Sequence, residues 1–413
     1  MFNPFDICER MGEKLGNQGQ IQSLFESAAL GPSQEGLELS LAHGWPGLAL
    51  FYSTLNEIFP SSVYESLCHH YLERSVAKIE AMQFLPLSLF EGLAGVCFSA
   101  HACSKEGRQY RQLLAELDRL LIDKLEEHLS WIEYKPHPET YYLAHGISGC
   151  MAYFLSRQNH PFLSKYAKKC LSKLVELMQR EQTALGRSLP GWYEPPEEHW
   201  SEEQKTRFPN GKFSTGFFLG VAGLLASLSI AASEGIQIEG LKESVAAIAD
   251  WLKNKSDPQC PRWPWAISLE EETSSPTSPA AQERDTLFIA RSLYLAGKAL
   301  NRKDLKTFAV EAASRYERAK NREDLSFLSG KAGDLAIVYH LSRESQSPLL
   351  FKKAREMEAD LARAFDPSLP FGFPSAAPEQ GVGMANGAAG ITLSLLLAQD
   401  RGGAKWDRMF FLR

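Results

Sequence analysis

No stretch of this 413-residue chain has the roughly 20 consecutive apolar residues that cross a bilayer, which excludes a transmembrane segment. The opening "MFNPFDICERMGEKLG" carries acids and a proline where a secretory signal would be basic and then apolar, so the expected location is cytoplasmic. A cationic excess is missing too. With 44 Lys and Arg against 50 Asp and Glu, the net charge is -6, and no overall field draws nucleic acid. Cysteine is sparse and odd in number, seven residues set mostly in apolar helical surroundings, which excludes a disulfide framework and predicts free thiols. Convincing runs of alternating apolar and polar residues, the mark of half-buried strands, are lacking.

What is present is a repeat. "LAHGWPGLALFY", "SLFEGLAGVCFSA", "YLAHGISGCMAYFL", "TGFFLGVAGLLASLSIA", "SFLSGKAGDLAIVYHL" and "GMANGAAGITLSLLLA" each place a GxxG pair ahead of an apolar run, at Gly44, Gly92, Gly146, Gly220, Gly330 and Gly387. A damaged copy, "RDTLFIARSLYLAGKAL", has Asp285 and Phe288 in place of the glycines. Successive heads lie from 45 residues (Asp285 to Gly330) to 74 residues (Gly146 to Gly220) apart, room for a second helix in each interval. Those second helices are legible in "LLAELDRLLIDKLEEHL", "KYAKKCLSKLVELMQRE", "GLKESVAAIADWLKNK" and "SPLLFKKAREMEADLARAF", with apolar residues at helical spacing and charges opposite.

The GxxG helices are apolar nearly all round and are predicted to be inner, the amphipathic ones outer. Seven such hairpins without polar capping repeats predict an all-α fold, a closed α/α toroid forming a single domain over residues 1–413. A glycine inside a helix costs roughly 1 kcal/mol relative to alanine, so the repeated pairs imply close backbone approach. Two segments break the rhythm, residues 186–216 and 256–285. Both read as long loops, the first rich in Pro, Glu and Trp, the second with a Trp-Pro-Trp cluster and a Ser/Thr/Pro tract.

With parallel inner helices, the residues just before the first glycines line one cavity: His43, Glu91, His145, Leu219, Arg284, Ser329 and Asn386. Helix starts bring unpaired N–H groups and positive dipole ends to the same place, an environment suited to a thiolate or another anion. The same residues also serve as ordinary helix caps, and for Ser329 and Asn386 capping is the stronger reading.

The motifs "LAHGWPG", "SLFEGLAG" and "LAHGISG" within seven ordered repeats resemble the lanthionine synthetase C-like family, over about Leu41 to Ala398. The resemblance implies the α/α toroid and a cyclase that joins a peptide cysteine thiol to a dehydrated Ser or Thr, forming a thioether ring. It also implies a zinc ion held by a Cys of the fifth repeat and a Cys-His pair before the sixth glycine. Here those positions hold Glu283, Leu328 and Ser329. The family's acid/base His of the fourth repeat is Leu219, and its Asp of the third repeat is Tyr142.

No metal and no cofactor are therefore expected. Cys68, His69 and His70 in "CHH", and His101 with Cys103 in "SAHACS", lack the paired spacing of zinc motifs. Three readings stay open. In a zinc-free cyclase, His43 or His145 is the base and Arg284 steadies developing charge, with Glu91, Tyr142, Asp285, Ser329 and Asn386 as binding residues. A non-catalytic scaffold would instead hold the modified precursor peptide or a partner enzyme such as a dehydratase. An α/α-barrel glycosidase would use Glu91 and Asp285 as its carboxylates. In the first two readings Trp45, Trp192, Trp200, Trp263 and Trp265 are candidate peptide anchors, with pinning of the loops as the alternative for each.

Overall fold

Gly44, Gly92, Gly146, Gly220, Gly330 and Gly387 each stand immediately before an α-helix in the computed structural model, which describes residues 2–28, 36–134, 137–257, 259–272, 285–318, 323–375, 381–401 and 406–413. In chain order the helices are α1 (Pro4–Lys14), α2 (Gln18–Ala28), α3 (Trp45–Ile58), α4 (Ser62–Ala81), α5 (Leu93–Cys103), α6 (Arg111–Tyr134), α7 (Ile147–Ser156) and α8 (Pro161–Gln179). They continue with α9 (Glu202–Arg207), α10 (Val221–Ser233), α11 (Leu241–Asn254), α12 (Thr286–Ala299), α13 (Lys303–Arg315), α14 (Lys331–Ser345), α15 (Pro348–Arg363) and α16 (Ala388–Ala398). The damaged repeat survives as α12, with Asp285 at its N-cap. Among the described residues no helix is long and apolar enough to cross a membrane.

Burial sorts the helices into two layers. Every residue of α16 is buried, as are Trp45–Leu55 of α3 and Val221–Ala231 of α10, so these segments have no solvent face. By contrast α11 buries one stripe, Leu241, Val245, Ile248, Ala249 and Leu252, and leaves its charges outside. Two compact units are distinguished. In Met1–Leu125 with Arg318–Phe410, the inner helices lie in the order α5, α3, α16, α14, covered by α4, α1 and α15. In Glu126–Glu317 with Phe411–Arg413, the order is α7, α10, α12, covered by α8, α11 and α13.

The outer partner of α16 is α1, a helix the repeat pattern does not announce. Its signal is at its start. Asn3 Oδ1 accepts the Asp6 N–H at 3.0 Å, Asp6 Oδ2 accepts the Asn3 N–H at 3.4 Å, and Pro4 takes the first helical position. Ile7, Cys8 and Met11 are buried, and the Tyr52 hydroxyl donates to the Gly12 carbonyl at 2.6 Å.

The GxxG pairs answer to close approach and not to backbone handedness, since the leading glycines are extended, with φ of -109° at Gly44 and -119° at Gly330. A Cβ on Gly95, Gly223, Gly333 or Gly390 would collide with the carbonyl of Leu89, Phe217, Phe327 or Met384, at a constant offset in the preceding loop. Each loop thus folds back over the first turn of its own helix. The other side of these glycines faces a neighbouring repeat: Gly47 meets Met384, Gly95 meets Leu41, Gly223 meets Leu143 and Gly390 meets Phe327. All four partners stand at the same place before their own first glycine, so within each unit the inner helices start at one level and run parallel.

Gly333→Ala is expected to cost about 1–3 kcal/mol or more by overpacking against backbone that cannot yield. Gly19→Ala, whose Cβ would meet only Asn17 Oδ1 at 3.8 Å inside α2, should be neutral or stabilising. Urea unfolding of the two variants separates a steric role from a merely helical one.

The two long loops contain strand after all. β1 (Gln182–Ala184) and β2 (Arg187–Leu189) form a hairpin, while β3 (Lys212–Ser214) of the first loop pairs antiparallel with β4 (Ala266–Ser268) of the second, Phe213 opposite Ile267. At three residues each, they are too short to show alternation in sequence. The Ser/Thr/Pro tract lies outside the described residues.

Candidate functional site

Backbone hydrogen bonds link the loops that precede the inner helices. In the first unit, Ala385 N–H donates to the Ala42 carbonyl, and Phe327 and Leu328 N–H both donate to the Ala385 carbonyl, each at 2.9 Å; Ala42 N–H reaches the Phe90 carbonyl at 3.5 Å. This chain of contacts brings the stretches bearing His43, Glu91, Ser329 and Asn386 to one end of the unit. In the second unit, Ala144 N–H donates to the Phe218 carbonyl at 3.0 Å, and Asp285 Oδ2 accepts the Phe217 N–H at 3.0 Å. That gathers His145, Leu219 and Asp285. Arg284 and Glu283 lie outside the described residues.

The side chains differ sharply in availability. Glu91 and His145 are exposed, and Leu219 is 51% exposed. Ser329 Oγ donates to Asp324 Oδ2 at 2.7 Å, and its carbonyl accepts from Arg318 at 2.8 Å, so this serine closes its own loop. Asn386 is half-buried. Tyr142 turns inward: its hydroxyl donates to Glu194 Oε1 at 2.7 Å, and burial, with the Glu194 charge second, raises its pKa well above the ordinary phenol value.

His43 is mostly buried, and its Nδ1 has no hydrogen-bond partner among the described residues. Burial pushes its imidazole down to about 4 from an ordinary 6.5. Above pH 6.5 folded and unfolded chains are both neutral at this residue. As the pH falls from 6.5 to 4 only the unfolded chain takes the proton, so the fold should lose about 3 kcal/mol through this group, with no further loss below pH 4. Burial lowers His70 and His128 in the same sense. The check is therefore the wild-type curve of stability against pH minus that of His43→Gln; parallel curves would remove the assignment.

The expectation of free N–H groups at the helix starts is overturned for α5, α10, α14 and α16. Leu93 and Ala94 donate to Pro86 and Leu87; Lys331 and Ala332 to Asp324 and Leu325; Ala388, Ala389 and Gly390 to Gly381, Val382 and Gly383; and Ala222 to Gly216. The folded-back loops that demand the glycines also supply these acceptors, so the donors are not left for an anion. The tryptophans are mainly packing groups. Trp45, Trp192, Trp200 and Trp263 are at most 8% exposed, and Trp45 opens α3 instead of sitting on a loop.

A charged cluster with no signal in the local sequence lies beneath Tyr142. Glu194 accepts from Tyr142 and from Ser214 Oγ at 3.0 Å, and Lys212 Nζ stands 3.5 Å from its Oε2. The same ammonium lies 4.9 Å from the ring centres of Trp200 and Trp265 and 5.8 Å from that of Phe208. Burial raises the Glu194 pKa and Lys212 opposes the rise. The long loops are thus pinned by a buried ion pair inside an aromatic box.

The fold of the chain matches a solved structure of nisin cyclase with a TM-score of 0.79 at 19% identity, over 96% of this chain and 97% of that one. The fold is accordingly all-α, an α/α toroid, as the repeat predicts. The family model of lanthionine synthetase C-like protein matches residues 35–411, and the chain belongs to that family. A curated relative, the nisin biosynthesis protein NisC of Lactococcus lactis subsp. lactis, is 25% identical over 203 residues, 49% of this chain. That alignment spans about half of the relative, 47% of its length.

The residues present do not fit the zinc that the family implies. Leu328 offers no donor atom, and Ser329 Oγ is engaged with Asp324. Cys8 and Cys97 point their sulfurs at the carbonyls of Thr392 and Leu117. Among the described residues no group of three or more His, Cys, Asp or Glu side chains is placed to hold a metal ion.

Proposed function

We propose that this chain acts in lanthipeptide-type peptide maturation on a dehydrated, cysteine-containing precursor, as a zinc-independent, thioether-forming cyclase. The observation that carries the reading is the exposed imidazole of His145 at the head of an inner helix, in a chain of this family. Of the two histidines that precede a GxxG glycine, His43 is neutral but a weak base at a pKa of about 4, far below a thiol at about 8.5. His145 is the one open to substrate. It takes the thiol proton, the sulfur bonds to Cβ of the dehydroamino acid, and the resulting enolate takes a proton back at Cα, leaving the imidazole free for the next turnover.

One observation favours a second reading. Several helix-start N–H groups already have acceptors, and the family's ligand positions hold Leu328 and Ser329, so a scaffold that binds the modified precursor or a dehydratase without turning it over has structural support. Purified chain incubated with dehydrated precursor, followed by thiol alkylation and mass spectrometry, decides. Ring closure above the uncatalysed control supports the cyclase, and binding without closure supports the scaffold. Zinc found at one equivalent after dialysis would revive metal-activated thiolate chemistry.

A further inference from the structure

The hairpin of β1 and β2, in the second unit, has a free edge. Its turn is the pair Leu185 and Gly186, both left-handed at φ of 50° and 71°, so Ala184 and Arg187 on either side exchange both their backbone bonds. Bonded and non-bonded pairs alternate along an antiparallel ladder, and Thr183, opposite Ser188, therefore turns its N–H and carbonyl away from β2. β1 and β2 make a two-stranded sheet, and among the described residues no partner meets either group.

That edge borders a cavity of about 380 Å³. Glu181, Gln182 and Thr183 all line it, and because side chains alternate along a strand, three successive residues reach one space through the strand's edge. The neighbouring loop is fixed: Gln182 Nε2 donates to the Gly191 and Tyr193 carbonyls at 3.0 and 2.8 Å, and a Cβ on Gly191 would collide with the Leu177 carbonyl of α8. Charge in the lining is uneven, with Glu181 and Glu197 against the single guanidinium of Arg180. Tyr141, also in the lining, stands four residues before His145, a length of chain that spans at most about 14 Å.

We propose that the edge of β1 takes up an extended segment of the precursor peptide as a third strand, with a Lys or Arg side chain of that segment in the cavity. Thr183 N–H donates to a carbonyl of the incoming strand and the Thr183 carbonyl accepts an N–H from it; these main-chain bonds supply affinity, and the cavity supplies selection. The excess of carboxylate in the lining complements a basic side chain and opposes an acidic one. The choice of occupant rests on the peptide-maturation reading: a peptide anchored here has its next few residues within reach of the exposed His145 imidazole.

The test titrates the full chain with synthetic, fluorescein-labelled precursor that has not been dehydrated, so that binding is read without ring closure. Thr183→Pro removes the outward N–H and spares the bonds to β2, a substitution an edge position accommodates, whereas Thr183→Val keeps the N–H and loses only the hydroxyl. The proline variant should bind about tenfold or more weakly, the valine variant within about twofold of wild type. Bound peptide should also slow amide exchange at Thr183 in the wild-type chain, a measurement that stands even if the proline variant does not fold. Equal affinity in Thr183→Pro, unchanged exchange at Thr183, or equally tight binding of a peptide with every Lys and Arg replaced by Gln would overturn this proposal and leave the cyclase reading standing. Binding with the expected pattern but without ring closure on dehydrated precursor would support the edge site and overturn the cyclase. No binding by wild type would overturn both.

Discussion

His145→Ala is expected to slow thioether ring closure by about 10²- to 10⁴-fold, the usual worth of a general base, with helix content and peptide affinity unchanged. The side chain is exposed and makes no hydrogen bond among the described residues, so its loss leaves no buried partner unsatisfied. Its backbone is held independently of the imidazole, by Gly146 N–H on the Tyr142 carbonyl at 2.8 Å and by the Ala144–Phe218 bond. A catalytic effect should therefore appear in the rate and its pH profile and not in the melting curve. His43→Gln should change the pH dependence of stability while leaving the rate profile in place. If His145→Ala cyclises as fast as wild type, the base lies elsewhere.

Lys212→Met is expected to destabilise the second unit by about 3–5 kcal/mol, because it leaves Glu194 buried without its counter-charge. The double variant Lys212→Met with Glu194→Gln should recover most of that loss, since a neutral amide keeps bonds to Tyr142 and Ser214 and no buried charge remains. Guanidinium unfolding measures both, with tryptophan fluorescence reporting on the aromatic box around Trp200 and Trp265. A single variant within 1 kcal/mol of wild type would mean that Glu194 is held protonated in the fold and the ammonium is dispensable.

The site divides the same way as these two tests. His43 and His145 occupy equivalent places in "LAHG" strings, yet one is mostly buried with a depressed pKa and the other stands in solvent. Burial is a property of what packs against a residue, and the bond from Ala385 to Ala42 beside His43 joins loops far apart in the chain. Tyr142, a candidate binding residue by position, spends its hydroxyl on Glu194, which no local pattern pairs with it.

By itself the sequence determined the number and order of the inner helices, the outer place of α8, α11 and α15, and the close approach at the GxxG pairs. These follow from periodicity and from the cost of glycine in a helix, which act over a few turns of chain and are written in residues near one another. Only the tertiary structure decided that folded-back loops take up helix-start donors, that α1 covers α16, and that Lys212 lies in an aromatic box. Each of these depends on which distant residues share a neighbourhood, because desolvation and pairing act through space.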